Sequence, residues 1–232
     1  MSDPTLTPGQ VLLLGDITAQ LAAAPSAPQL RARAPILAQV AVEIRGDERA
    51  RRLAQLMTCV DWRESQGGAA LRPPGPAGYG DFARRQWPAR RFAQFPDLCT
   101  QGDKVLDENG DQHTNAAGEP LWWTLLRPGK GFGFGESQLD AQAHHDLVTR
   151  VLANGEPAWT DPLEHHRMSM RILADGMDAF PGDEAGGIDS FNAGIVNVQR
   201  AEAAPGHQPD RATTGLNYGS DVLDHAKRWF GA

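Results

Sequence analysis

Arg63-Glu64-Ser65 closes an apolar run, and Gln66-Gly67-Gly68 follows it. Leu53, Leu56, Met57 and Val60 recur at the spacing of one buried helix face. Glu64 lies four residues past Val60 and extends that face. A carboxyl on the buried side of a helix end loses water, which disfavours its charged form and raises its pKa. A carboxylic acid still protonated near neutral pH is what a general acid must be. The competing reading is a helix-terminal glutamate that bends into solvent.

Other chemistry-bearing residues carry weaker signals. His144-His145 and His165-His166 resemble metal ligands, but neighbours on a helix point about 100° apart and do not share one ion. Asp107, Asn109 and Asp111 have the spacing of a calcium loop, yet Gln112 and Gly118 stand where that loop needs Gly and Glu. Gly129 to Gly135 alternates glycines without the Gly-Lys-Ser/Thr ending of a phosphate loop. A tight turn against another backbone segment suits it better. No metal site and no cofactor are expected. Cys59 and Cys99 are too few for a scaffold or a zinc site. They either pair in an oxidising compartment or, as the helical position of Cys59 suggests, remain buried thiols.

The elements that must position these residues are mostly helical. Thr7-Pro8 starts a helix over 11–24, with Thr as cap and Pro at the first position. Pro25 to Pro28 breaks it, and a second helix follows Pro35. Asp47 caps the helix that leads to Glu64. The Pro- and Gly-rich run from Arg72 to Asp81 reads as a surface loop. Residues 82–129 read as an insertion with a β-hairpin on the Asn109-Gly110 turn. In it, Trp122 and Trp123 form either a sugar-stacking wall or a local core. Further helices are expected over 141–154, over 162–180 behind an Asp161 cap, over 188–202 and over 217–230. The stretch 182–187 reads as a loop, and 203–215 is polar and proline-bearing. This is a mainly α, α+β pattern. It divides into an N-terminal helical extension, residues 1–47, and a domain over 48–232 that carries the insertion.

The chain has 232 residues, 41% hydrophobic and 22% charged, which is a globular composition. A net charge of −7 supplies no basic field for nucleic acid, so no nucleic-acid partner is expected. Arg84, Arg85, Arg90 and Arg91 form the densest basic cluster. Val11-Leu12-Leu13-Leu14 is too short for a signal segment or a membrane span. The expectation is a protein made in the cytoplasm that does not use the general secretory route and has no membrane partner.

Several fragments, in order, resemble goose-type lysozymes, a branch of the lysozyme and soluble lytic transglycosylase superfamily. Arg63-Glu64-Ser65 resembles the family's catalytic Arg-Glu-Ser, and Gly78-Tyr79-Gly80-Asp81 its Gly-Trp-Gly-Asp. Gly131 to Asp140, with His144 after it, resembles the glycine-rich strand and following turn. Asp189-Ser190-Phe191-Asn192-Ala193-Gly194 is similar to the Tyr-Asn-Ala-Gly helix. Thr213-Thr214 through Tyr218 and Asp221-Val222 looks like the last helix, whose tyrosine faces the cleft. The resemblance covers roughly 48–81 and 130–230. It departs at Glu136 for Leu, Ser137 for Met, Phe191 for Tyr, and in the long segment 82–129.

The resemblance implies a lysozyme-like fold and a muramidase that cleaves the β-1,4 bond between N-acetylmuramic acid and N-acetylglucosamine, with peptidoglycan strands as partner. Glu64 would be the acid. Asp81, or second Asp140, would activate or position water, and Glu136 is a third candidate without family precedent. Ser65, Phe134, Gln138, His144, Asn192 and Tyr218, with Glu136, Trp122 and Trp123, complete the expected substrate contacts. A lytic transglycosylase forming 1,6-anhydro ends and a non-catalytic wall-binding protein are the alternatives. Delivery would be as a phage endolysin or as a secretion-system effector acting at the wall, the latter with an immunity or inhibitor protein as a second partner.

Overall fold

The structure is a computed structural model that describes residues 6–24, 27–204, 213 and 215–231. Helices take 52% of the chain against 13% for strands, so the fold is mainly α, of the α+β class. The break at Pro25 and most of the polar stretch before Gly215, including Thr214, lie outside the described residues.

Helix α1 (Pro8–Ala23) opens on the Thr7 cap. The Thr7 hydroxyl accepts the Gln10 amide, and the Gln10 side chain accepts the Thr7 amide at 3.0 Å. Helix α2 runs over Pro28–Arg45 and so starts before Pro35, not after it. Pro35 removes one intrahelical donor. Leu30, Ala34, Leu37, Ala38 and Ala41 all bury on one face, and that burial holds the helix through the proline. Helix α3 (Arg49–Ser65) follows, with the Arg49 amide bound to Asp47 Oδ1 at 3.0 Å. Its axis lies in the main core, where Leu53, Leu56, Met57 and Val60 are all buried. Gln66, Gly67 and Gly68 take positive φ and end it.

The two helices before Glu48 are not an appended unit. Leu13, Ile17, Leu37 and Val40 share one hydrophobic cluster with α3 and with the later helices. Those are α6 (Pro162–Ala179), α7 (Glu184–Ala193) and α9 (Tyr218–Phe230). Asp161 caps α6 through the Glu164 amide, as its sequence predicts. The expected 188–202 helix is two. Helix α7 starts at Glu184, because Asp183 caps the stretch that reads as a loop, and Gly194 (φ 83°, ψ 142°) separates it from α8 (Ile195–Glu202).

A second core gathers Trp87, Phe95, Phe132, Phe134, Leu139 and Trp159 under two small antiparallel sheets. One sheet has the order β1 (Tyr79–Gly80), β5 (Gly133–Phe134), β6 (Leu139–Asp140). The other pairs β2 (Gln86–Pro88), β4 (Leu121–Leu126) and β3 (Cys99–Lys104). The short helix α4 (Ala89–Phe92) lies between β2 and β3. The Asn109-Gly110 turn forms, with Leu106 bridged to Gln112. The insertion is therefore packed into the fold: Trp87 is 1% exposed and stacks edge-on against Phe132. Cys59 and Cys99 are both free and buried, one in each core.

The expected 141–154 helix shrinks to α5 (His145–Val148). Asp140 Oδ1 accepts the Gln142 and Ala143 amides, which folds that segment into a turn. Val151 then pairs with Pro157 as an isolated bridge.

Gly131 passes so close to β1 that an added Cβ would lie 2.1 Å from the Gly80 carbonyl oxygen. Backbone cannot yield as a side chain can. Gly131→Ala is expected to cost about 1–3 kcal/mol in a urea melt.

Candidate active site

A cleft of about 1030 Å³ separates the helical core from the β1-β5-β6 sheet. Arg63 and Glu64 reach it from the end of α3, and Asp81, Arg85, Gln138, Asp140 and His144 from the sheet side. Ile172 and Asp175 of α6, Ser190 to Asn197 of α7 and α8, and Tyr218 complete the wall.

Glu64 is the penultimate residue of α3 and is partly buried. Tyr218, itself 2% exposed, donates its hydroxyl to Glu64 Oε1 at 2.6 Å. Burial raises the Glu64 pKa to about 7. The Tyr218 hydrogen bond opposes this, as do the Arg63 charge and a hydrogen bond with Asn192, while the Asp61 charge adds to it. Desolvation prevails, so the carboxyl holds a proton close to neutral pH. The tyrosine is placed from behind: Asp189 Oδ1 accepts the Gly219 amide at 2.6 Å at the start of α9.

On the opposite wall, Asp81 and Asp140 converge on one atom. Arg85 Nη2 meets Oδ2 of both, at 2.5 Å for Asp140, and the guanidinium lies over the Phe132 ring. Both carboxylates remain about one-third exposed. His144 lines the cleft beside Asp140, its pKa lowered by burial. Gln138 is held by glycines: a Cβ on Gly80 or Gly133 would fall 1.9 or 2.2 Å from its Oε1. Its Nε2 donates to the Gly135 carbonyl.

The remaining expected contacts sit elsewhere, each for a physical reason. Strand alternation turns Gly133 to the cleft and Phe134 into the second core, against Tyr79 and Trp159. Ser65 is 1% exposed; its hydroxyl donates to the Glu136 carbonyl at 2.6 Å and accepts the Gly68 amide. It braces the end of α3 and does not line the cleft. Trp122 and Trp123 are on β4, under Lys104 and Arg84 respectively, outside the cleft lining. Trp87 is enclosed in the second core and offers no face to a sugar.

Glu136 is not a base in the cleft either. It is 1% exposed and bound through both oxygens by Arg33 Nε at 3.1 Å. Behind α3 it joins a closed ionic network. His166 Nε2 bonds Asp61 Oδ2 at 2.9 Å and lies 3.6 Å from Glu136, while Ser137 donates to Asp61 Oδ1 at 2.6 Å. Burial works against the His166 cation, but Asp61 and Glu136 outweigh it and hold its pKa above the usual value. His165 beside it is held neutral by burial and by the His166 charge, and its Nε2 accepts the Ser137 amide. Among the described residues, Asp61, Glu136 and His166 are the one grouping with metal-ligand spacing. Their donor atoms are already engaged with Arg33, with Ser137 and with one another.

Residue types and spacing gave no sign of Arg33 or Asp61, and marked His166 only as half of a metal-like histidine pair; its partner Asp61 is 105 residues away. Arg85 had one weak cue, its place in the basic cluster with Arg84, Arg90 and Arg91.

Fold and cleft together define a mainly α, α+β protein with a desolvated acid facing an arginine-bridged pair of carboxylates. The chain matches no protein-family model, and comparison with curated proteins finds no relative. Among the described residues, no helix is long and apolar enough to cross a membrane.

Proposed function

We propose that the protein is a peptidoglycan hydrolase, a muramidase similar to the goose-type lysozymes. The observation that carries this reading is Glu64, protonated near neutrality and oriented by Tyr218, in a cleft whose other wall holds two carboxylates. Glu64 protonates the leaving glycosidic oxygen, and positive charge develops on an oxocarbenium-like sugar. A carboxylate on the far wall activates water, which attacks the opposite face and inverts the anomeric centre. Asn192 and Gln138, both at the cleft, orient sugar or water by hydrogen bonds. The order of fragments that resembles goose-type lysozymes agrees with these roles. Its substrate class, the glycan strand of the bacterial wall, follows from that resemblance and so belongs to the proposal.

Mass spectrometry of products from purified peptidoglycan in isotopically heavy water tests it. Heavy oxygen at the new reducing end, absent with Glu64→Gln, is the expected outcome. Products with 1,6-anhydro ends would instead identify a transglycosylase. Binding without cleavage, equal in wild type and Glu64→Gln, would identify a wall-binding protein. An NMR time course of glycan cleavage should show the inverted anomer first, and a retained anomer would defeat the inverting mechanism.

A further inference from the structure

Which carboxylate acts, and what Arg85 does between them, is decided by hydrogen-bond occupancy; this inference rests on the hydrolase reading above. A carboxylate offers about four acceptor positions. Asp140 spends three of them inside the fold: Oδ1 takes the Gln142 amide at 2.6 Å and the Ala143 amide at 3.0 Å, and Oδ2 takes Arg85. Asp81 spends two: Oδ1 takes the Ala83 amide at 3.2 Å, and Oδ2 takes Arg85. Asp140 is thus anchored as a turn-former, while Asp81 keeps free lone pairs toward the cleft and is also the more exposed of the two. Asp81 itself has a positive φ of 48°, a backbone setting few non-glycine residues adopt, so its direction is enforced by the surroundings.

We propose that Arg85 is a positioning residue that aims Asp81 at water, with Asp140 serving to anchor Arg85. The guanidinium is itself held from outside the pair by its position over Phe132. Without it, two like-charged carboxylates that approach a single nitrogen atom would repel each other, and Asp81 would lose its aim. The other titratable or charged groups at this cluster are His144 beside Asp140, and Glu64, Arg63 and Asp175 lining the same cleft. No substituent of the cleft replaces the Arg85 charge, since Arg63 is engaged with Asp221 and Asn217.

The test compares Arg85→Gln, Arg85→Lys, Asp81→Asn, Asp140→Asn and Glu64→Gln for kcat and KM of peptidoglycan cleavage, with thermal melts to confirm folding. Arg85→Gln should lower kcat by about 10–100-fold with KM little changed. Arg85→Lys should restore part of kcat but not all of it, since an ammonium keeps the charge and loses the planar fork. Asp81→Asn should be more damaging than Asp140→Asn. A folded Arg85→Gln enzyme with unchanged kcat would overturn the proposal, as would Asp140→Asn being the more damaging. Glu64→Gln separates the two levels: if it retains full activity, the hydrolase reading fails, whereas if it is inactive while Arg85→Gln is normal, only the role of Arg85 fails.

Discussion

Glu64→Gln is expected to lower peptidoglycan cleavage by about 10²–10⁴-fold, the usual contribution of a positioned general acid. The same substitution should leave the protein at least as stable at neutral pH. Both effects follow from one fact, that burial raises this carboxyl to about pKa 7. A group whose folded pKa exceeds its unfolded value favours folding while both states are protonated. That contribution is lost as pH rises from the ordinary carboxyl range through about 7, because the unfolded chain ionises first. The amide of glutamine carries no such penalty, and its oxygen still accepts the Tyr218 hydroxyl. Urea melts of the two proteins should therefore converge at acidic pH and separate toward neutrality, with the variant the more stable. The basic limb of the wild-type activity profile should fall near pH 7, where the acid gives up its proton. Lower stability of Glu64→Gln at neutral pH would contradict a desolvated acid.

Arg33→Ala should be the most destabilising single substitution of a charged residue. Glu136 is 1% exposed, Asp61 is fully buried beside it, and Arg33 is one of the two cations that balance them. Removing one partner of a buried ion pair typically costs about 3–5 kcal/mol, because the other charge stays buried and uncompensated. Burial and the Asp61 charge already raise the Glu136 pKa, and Arg33, with His166, opposes them. Without Arg33 that carboxyl holds its proton to still higher pH. The deficit should therefore be small in acid and grow as pH rises through the raised value. Arg33→Met combined with Glu136→Gln should recover most of the loss, since it removes both charges and keeps the volume. Stability measured across pH for the single and double variants checks this. A deficit independent of pH would assign Arg33 a packing role only.

These two residues also mark the boundary between what was legible in the chain and what was not. The helix ending at Glu64 could be read from Leu53, Leu56, Met57 and Val60, because a buried helix face repeats every three to four residues and all four do bury. The caps at Thr7 and Asp161 could be read for a similar reason: the side chain that satisfies the helix end is within three residues of it. The mainly α, α+β class followed from such local signals. Local competition was harder to weigh. The turn made by Asp140 replaced an expected helix, Gly194 split another, and burial carried α2 through Pro35 against the usual reading of proline.

Tertiary structure alone decided the rest. Tyr218 reaches Glu64 across 154 residues of sequence and Arg33 reaches Glu136 across 103, and no periodicity encodes such pairs. It sent Phe134 and Gly133 to opposite faces of one strand, enclosed Trp87, and moved Glu136 from the cleft to the ionic network behind α3. It also brought Arg85 between Asp81 and Asp140. Residue type and spacing state which groups can ionise and which faces must bury. Whether a carboxyl ends up desolvated, paired or free depends on which distant groups the packed core brings within hydrogen-bond reach, and that is a property of the folded chain.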